Sequence, residues 1–146
     1  MSRVYEPSIC IHVIASSPHP PKTEYRVSRG YEKWEQKVAV TKIQMVYDGK
    51  VAGKIAPSIP ENTNDLPAIL FAIKLLHQGW GVHSKTKRCV VMVKKNSPHQ
   101  TVGELSEQAQ NEIHDFYTEL YLPMTLVDVI ERHREPLEND LMAFVF

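Results

Sequence analysis

The chain has 146 residues, 42% of them hydrophobic and 23% charged, and its 17 Lys and Arg residues balance its 17 Asp and Glu residues. These fractions are ordinary for a globular protein and exclude disorder along the whole length, so we predict a single globular domain over residues 1–146. The longest apolar runs, Ile9–Ala15 and Leu66–Leu76, fall short of the roughly 18 residues that a membrane-spanning helix needs. We therefore expect no transmembrane segment and, without a signal-peptide pattern, a soluble cytoplasmic protein.

The first third of the chain predicts strands. Ser8–Ala15 is almost wholly apolar and predicts an interior strand. The three prolines within Ser16–Lys22 predict an exposed loop, because proline lacks the donor that a strand ladder uses. Tyr25–Gly30 predicts a short strand at the edge of the sheet.

A β-hairpin is the clearest local prediction. Gln36–Tyr47 and Lys50–Ala56 are rich in β-branched and apolar residues, and Asp48-Gly49 separates them. An Asp-Gly pair supplies the positive φ angles of a type I′ turn. With a two-residue loop, Val46 faces Val51, Gln44 faces Gly53 and Lys42 faces Ile55.

The middle of the chain predicts a buried helix followed by a core strand. Leu66–Leu76 is apolar nearly all round, which indicates burial on more than one side, by the domain itself or by a second copy. Gly79 and Gly81 are expected to end this helix. Arg88–Lys95 has a continuous apolar centre and predicts a strand in the core.

The last third predicts amphipathic helices and an apolar end. Thr101 and Glu104 have the spacing of a capping box at the start of a helix that runs to about Leu120. A second helix is predicted from about Thr125 to Arg134. The run at 141–146 is too apolar for a free tail, so we expect it to dock on the domain or on a partner. Together these elements predict an α+β fold, in which an antiparallel or mixed sheet with a central β-hairpin is covered by the buried helix and the C-terminal amphipathic helices.

Opposite charges are segregated along the chain. Residues 1–100 hold 15 Lys and Arg against 7 Asp and Glu, whereas residues 101–146 hold 2 against 10. Such asymmetry predicts a basic surface for an anionic partner, an acidic surface for a basic partner, or compensation within one molecule.

The strongest local basic feature surrounds the predicted core strand. Its predicted binding residues are Lys85, Lys87, Arg88, Lys94 and Lys95 together with Trp80. A wider basic face can add Lys22, Arg26, Arg29, Lys33, Lys37, Lys42, Lys50 and Lys54, with Tyr25, Tyr31, Trp34 and Tyr47 as aromatic rings for stacking. Possible partners are nucleic acid or an anionic membrane surface.

A second predicted surface is apolar. Its residues are Leu141, Met142, Phe144 and Phe146, which we assign to self-assembly. A homo-oligomer is expected, with a symmetric homodimer as the simplest form.

The sequence assigns no catalytic residue, no metal ligand and no cofactor, because the familiar enzyme and metal-binding spacings are absent. Cys10 and His12 share one face of the first strand, and we interpret both thiols, Cys10 and Cys89, as buried core groups. His12, His77, His83 and His114 are the candidate residues if the chain is instead a small enzyme.

These features favour a non-enzymatic binding or self-assembly protein, of a small accessory, matrix-like or regulatory kind. It would act through a basic N-terminal surface and acidic C-terminal helices. The alternatives are a nucleic-acid-binding regulator that uses the basic surface and a small enzyme with a histidine-based site.

Overall fold

The structure is a computed structural model that describes residues 4–83, 86–119 and 131–146. Within these ranges the chain forms seven strands and two helices. Their bounds are β1 Tyr5–Ile14, β2 Thr23–Lys33, β3 Lys37–Tyr47, β4 Lys50–Ala52, α1 Asp65–His77, β5 Cys89–Lys94, α2 Val102–Glu119, β6 His133–Pro136 and β7 Leu141–Val145.

The strands form one mixed sheet in the order β4-β3-β2-β1-β5-β7-β6. The neighbours β1 and β5 are parallel, and the other five pairs of neighbouring strands are antiparallel. The predicted α+β class with a mixed sheet is therefore confirmed.

The hairpin β3–β4 forms as predicted. Asp48 and Gly49 have φ angles of 50° and 80°, and Val46 pairs with Val51. The hairpin lies at the edge of the sheet, and β4 ends at Ala52. The pairings expected for Gln44 with Gly53 and for Lys42 with Ile55 are therefore wrong.

The prediction of a short edge strand at Tyr25–Gly30 is wrong. The strand β2 has 11 residues and lies between β1 and β3. Tyr25 and Val27 are fully buried on one face, while the other face of β2 carries polar side chains such as Glu24 and Ser28 that are also buried. Because those polar groups have partners inside the protein, the polar sequence of β2 is compatible with an interior position.

Helix α1 covers one face of the sheet. Its buried side chains, including Phe71 and Leu75, pack against Ile11, Val13 and Tyr25. The helix ends near Gly79, whose φ of 89° suits a glycine at this position. The chain's own sheet thus buries one side of the helix, whereas Leu66 and Leu70 are 48% and 58% exposed, so the predicted burial on more than one side is wrong.

Helix α2 packs on the opposite face. Leu105, Ala109 and Ile113 contact a second cluster that includes Val91 and Phe144. Half of the predicted capping box is present at its start, where the Glu104 amide donates to Thr101 Oγ1 at 3.1 Å. The two helices therefore lie on opposite faces of the sheet.

The C-terminal run docks on the domain as β7, between β5 and β6. The helix predicted from Thr125 to Arg134 lies partly outside the described residues, and its end is wrong because His133–Pro136 pairs with β7 as the strand β6. The main-chain hydrogen bonds that β7 offers to this segment outweigh its local helical propensity, so the segment forms a strand. No helix in the described ranges is long and apolar enough to cross a membrane.

Candidate functional site

One end of the sheet extends beyond helix α1. The helix finishes at His77, whose Nε2 lies 3.2 Å from Thr41 Oγ1 on β3. Past Thr41 the same face continues along β2 and β3, and the side chains there are exposed. We call this surface the open end, and its residues are Arg29, Tyr31, Lys33, Lys37 and Ala39.

Strand alternation brings these residues together. Odd-numbered positions of β2 face helix α1 at Tyr25 and Val27, so Arg29, Tyr31 and Lys33 continue along that face. The register pairs Tyr31 with Ala39 and Lys33 with Lys37 across the two strands. Three cations thus lie on the same sheet face as the Tyr31 ring.

Tyr31 separates two depressions in the open end. One has a volume of about 260 Å³ and is lined by Ile9 and Arg29, and the other has a volume of about 440 Å³ and is lined by Lys33 and Lys37. Tyr31 is 46% exposed and contributes to both. A flat ligand group can therefore approach this ring beside a cation.

The open end has an excess of positive charge. Lys37 Nζ lies 5.2 Å from the centroid of the Tyr31 ring and 3.6 Å from Glu6 Oε2. Both side chains of this ion pair are largely exposed, so the pair contributes little to stability and can be replaced by a ligand contact. Arg29 and Lys33 add two further cations.

A second aromatic residue lies in the turn that joins β2 to β3. Trp34 is 50% exposed, and its amide donates to the Gln36 carbonyl at 2.9 Å. Because the turn follows Lys33 directly, the Trp34 ring belongs to the same end of the molecule as Tyr31.

The predicted binding residues around β5 do not come together in one exposed surface. The Lys87 side chain is buried, and its Nζ lies 2.7 Å from Glu24 Oε1. Arg88 lies over the Trp80 ring, 5.6 Å from its centroid, and donates to the Trp80 carbonyl. Burial, followed by repulsion from Arg132, lowers the pKa of Arg88.

The other predicted basic residues are far from the open end. Lys94 closes β5 at its carboxyl end, and the Lys95 amide bonds to the Asp140 carbonyl beside β7. Lys85 lies outside the described residues. The described residues of the basic surface predicted around β5 are therefore divided between the two ends of this strand, and Lys87 at one end belongs to a buried ion pair.

The residues assigned to assembly belong to β7 and the residue after it. Leu141 and Met142 are half-buried, and Phe144 and Phe146 are buried in the cluster that packs on α2. Their apolar surface is covered by the chain's own sheet and helix, so this surface gives no support to self-association.

Cys10 and His12 share one face of β1, as the alternation predicts, and they belong to a buried polar cluster. At its centre Glu24 Oε1 contacts Lys87 Nζ, and Glu24 Oε2 accepts a hydrogen bond from the Tyr117 hydroxyl at 2.5 Å. His12 Nε2 lies 3.9 Å from Glu24 Oε1. The cluster ties α2 to strands β1 and β2.

The surroundings of this cluster favour neutral thiols and a neutral imidazole. Burial raises the pKa of Cys10 and raises that of Cys89 to about 12. Burial, with repulsion from Lys87 and Arg26, holds the pKa of His12 well below its usual value. A protonated thiol is a poor nucleophile, so the geometry gives Cys10 no activated role.

His12 makes acid stability testable. The unfolded chain protonates this imidazole below about pH 6.5, whereas the folded chain holds it neutral, so stability is full above that pH and is lost as the pH falls. We expect His12→Leu to reduce the acid slope of the unfolding free energy by about 1 kcal/mol per pH unit below pH 6. Urea unfolding from pH 5 to pH 8 measures this slope. His99→Leu, at an exposed position, serves as the control, and an equal effect of both substitutions would contradict the prediction.

The remaining candidate histidines, His77, His83 and His114, are exposed. Among the residues that the structure describes, no group of three or more His, Cys, Asp or Glu side chains is arranged to hold a metal ion. The histidine-based site therefore gains no support from these positions.

The sequence signal for the open end was present but diffuse. Arg29, Lys33, Lys37, Tyr31 and Trp34 were members of the wider predicted basic face, without a reason to separate them from its other cations. What distinguishes these five residues is that α1 ends before it reaches their part of the sheet. Comparison with protein-family models, with curated proteins and with solved structures finds no match for this chain.

Proposed function

We propose that the chain acts by binding, through its basic N-terminal surface, and that the partner at the open end is a single-stranded nucleic acid. The observation that carries the proposal is the exposed Tyr31 ring flanked by Arg29, Lys33 and Lys37 on an uncovered sheet face. Proteins that bind single strands combine cations for the phosphates with aromatic rings for the bases.

The positions of the two depressions favour binding of a polymer that has both flat and anionic groups. They lie on either side of Tyr31, so neighbouring groups of one strand can occupy both. Duplex recognition by an inserted helix gains no support, because α1 and α2 pack on the sheet through their apolar sides. The same cations would attract an anionic membrane, and the experiment therefore includes that partner.

The test is fluorescence anisotropy of a labelled oligothymidylate across a series of KCl concentrations. We expect the affinity to fall steeply with salt, and Arg29→Gln/Lys33→Gln/Lys37→Gln to lower the slope of log K against log salt by about 2, since each phosphate contact contributes about 0.7. Lys50→Gln/Lys54→Gln/Lys94→Gln removes the same charge from exposed positions elsewhere and should leave the slope nearly unchanged.

Stacking is tested separately. Tyr31→Leu should weaken binding by about 5-fold to 150-fold, because base stacking on one aromatic ring typically contributes that much, and Tyr31→Phe should retain most of the affinity. Equal losses in the two triple variants would overturn the proposal. So would tighter binding to vesicles of anionic lipid than to the oligonucleotide. Light scattering on the same samples reports whether binding involves one copy or more.

A further inference from the structure

A further cavity lies at the opposite end of β1 from the open end, where the two parallel strands separate. Pairing between β1 and β5 ends at Val13 and Val90, whereas β5 continues to Lys94. From β1 the chain turns to β2 on one side, and from β5 it passes to α2, which packs towards β7. A crevice of about 420 Å³ opens between them, and we call it the β1–β5 crevice.

Its position is favourable for ligand binding on topological grounds. In open sheets with parallel strands, ligands bind outside the carboxyl ends of the strands, where successive connections leave in opposite directions. The crevice occupies that position between the start of α1 and the side of α2. Its volume is within the range of small-molecule sites.

One wall of the crevice is an unpaired strand edge. Cys89 exchanges both main-chain hydrogen bonds with Phe146, and Lys95 donates to Asp140, so the odd-numbered residues of β5 direct their main-chain groups towards β7. The main-chain N–H and C=O groups of Met92 and Lys94 therefore point the other way, into the crevice, where β1 no longer runs beside them. Such groups require hydrogen-bonding partners.

The other walls are mainly polar, and their two carboxylates outnumber the one cation of the lining, that of Lys94. Asp65, at the first position of α1, is buried and accepts hydrogen bonds from the Ser16 amide at 2.9 Å and from the Tyr25 hydroxyl at 2.7 Å. Glu112 on α2 also lines the crevice and remains exposed to solvent, and partial desolvation followed by repulsion from Asp65 raises its pKa. Side-chain amides complete the lining, and they belong to Asn62, Asn64, Asn96 and Gln108.

These groups select the charge of the ligand. Asp65 is held by internal donors, so Glu112 is the carboxylate available to a ligand. Because the lining has one more carboxylate than cations, an anion would meet net repulsion, whereas an ammonium group beside Glu112 would relieve the repulsion between Glu112 and Asp65. The N–H groups of Met92 and Lys94 point to a side on which no strand of the described residues pairs with them, so they can donate to acceptors on the ligand, such as hydroxyl oxygens.

We infer that the β1–β5 crevice binds a small organic ammonium compound that also carries hydroxyl groups, of the amino sugar or amino alcohol class. The ammonium contacts Glu112, and the hydroxyls bond to the main chain of Met92 and Lys94 and to the side-chain amides. This site is separate from the open end and requires no nucleic acid.

To test this inference, the folded chain is titrated with glucosamine, and its main-chain amide signals are followed by NMR. Glucose, which lacks the ammonium group, is the matched control ligand. We expect shifts at Met92 and Lys94 and glucosamine affinity at least about tenfold higher than that of glucose, as a charge-assisted hydrogen bond provides. Glu112→Gln should reduce glucosamine affinity to that of glucose. Glu107→Gln, on the same helix but outside the lining of the crevice, should change neither.

Equal affinity for the two sugars would overturn the inference, and so would shifts confined to residues outside the crevice. Titration with MgCl2 and CaCl2 is the third arm. If either cation shifted the same amides at lower concentration than glucosamine, the site would be one for a metal ion and the inference would be wrong. None of these outcomes depends on whether the open end binds an oligonucleotide.

Discussion

Lys87→Met is expected to lower the free energy of unfolding by about 3–5 kcal/mol at pH 7, the usual cost of leaving one partner of a buried ion pair alone. The Lys87 and Glu24 side chains are 5% and 1% exposed, and their Nζ and Oε1 atoms are 2.7 Å apart. Without the ammonium, the Glu24 carboxylate remains buried with the Tyr117 hydroxyl as its main partner. Urea unfolding measures the loss.

Two further variants separate burial from charge. Glu24→Gln/Lys87→Met removes both charges and keeps an acceptor for Tyr117, so most of the lost stability should return. Lys37→Met breaks the exposed pair with Glu6 and should change stability by less than about 1 kcal/mol. Equal losses for Lys87→Met and Lys37→Met would contradict the assignment of Lys87 to the core.

Phe144→Ala is expected to cost about 3–5 kcal/mol, because it removes a fully buried ring from the cluster between the sheet and α2. Leu70→Ala, at a residue that is 58% exposed on α1, should change stability by no more than about 0.5 kcal/mol. Thermal or urea unfolding checks both values.

The same substitution distinguishes a core residue from an assembly residue. If Phe144 belongs to the core, light scattering should give the same particle mass for folded Phe144→Ala as for the natural chain. If the variant kept its stability but had a lower particle mass, Phe144 would belong to an interface between copies, and its assignment to the core would be wrong.

Local patterns predicted those elements whose cause lies within a few neighbouring residues. The turn at Asp48-Gly49 requires positive φ angles that its own residues supply, and Thr101 accepts from an amide three residues away. Both were therefore predictable from the sequence.

Other features depend on contacts between distant residues. Lys87 looks like a surface cation in the sequence, because its neutralising partner, Glu24, lies on another strand. The interior position of β2, predicted as an edge strand, likewise depends on partners from distant segments, such as Lys87 for Glu24. A propensity scale treats each charged side chain as solvated, so it cannot predict that two oppositely charged side chains are buried as a pair.

The two candidate sites depend on where elements stop relative to one another. Tyr31 and Lys33 are exposed because α1 ends beside Thr41, and the β1–β5 crevice exists because pairing ends at Val13. Composition indicated that residues 1–100 are basic. Where a helix ends relative to the sheet beneath it depends on tertiary packing, which composition does not show. The sequence therefore predicted the chemistry of the open end better than its position.

The parallel seam between β1 and β5 bears on how the chain folds. It joins residues that are far apart in sequence through the pairs His12 with Cys89 and Val13 with Val90, whereas β1 to β4 form successive antiparallel neighbours. Nearby segments meet at a lower entropic cost than distant ones. We therefore expect the four-stranded meander to assemble early, and docking of β5 against it to be a late step that limits the folding rate.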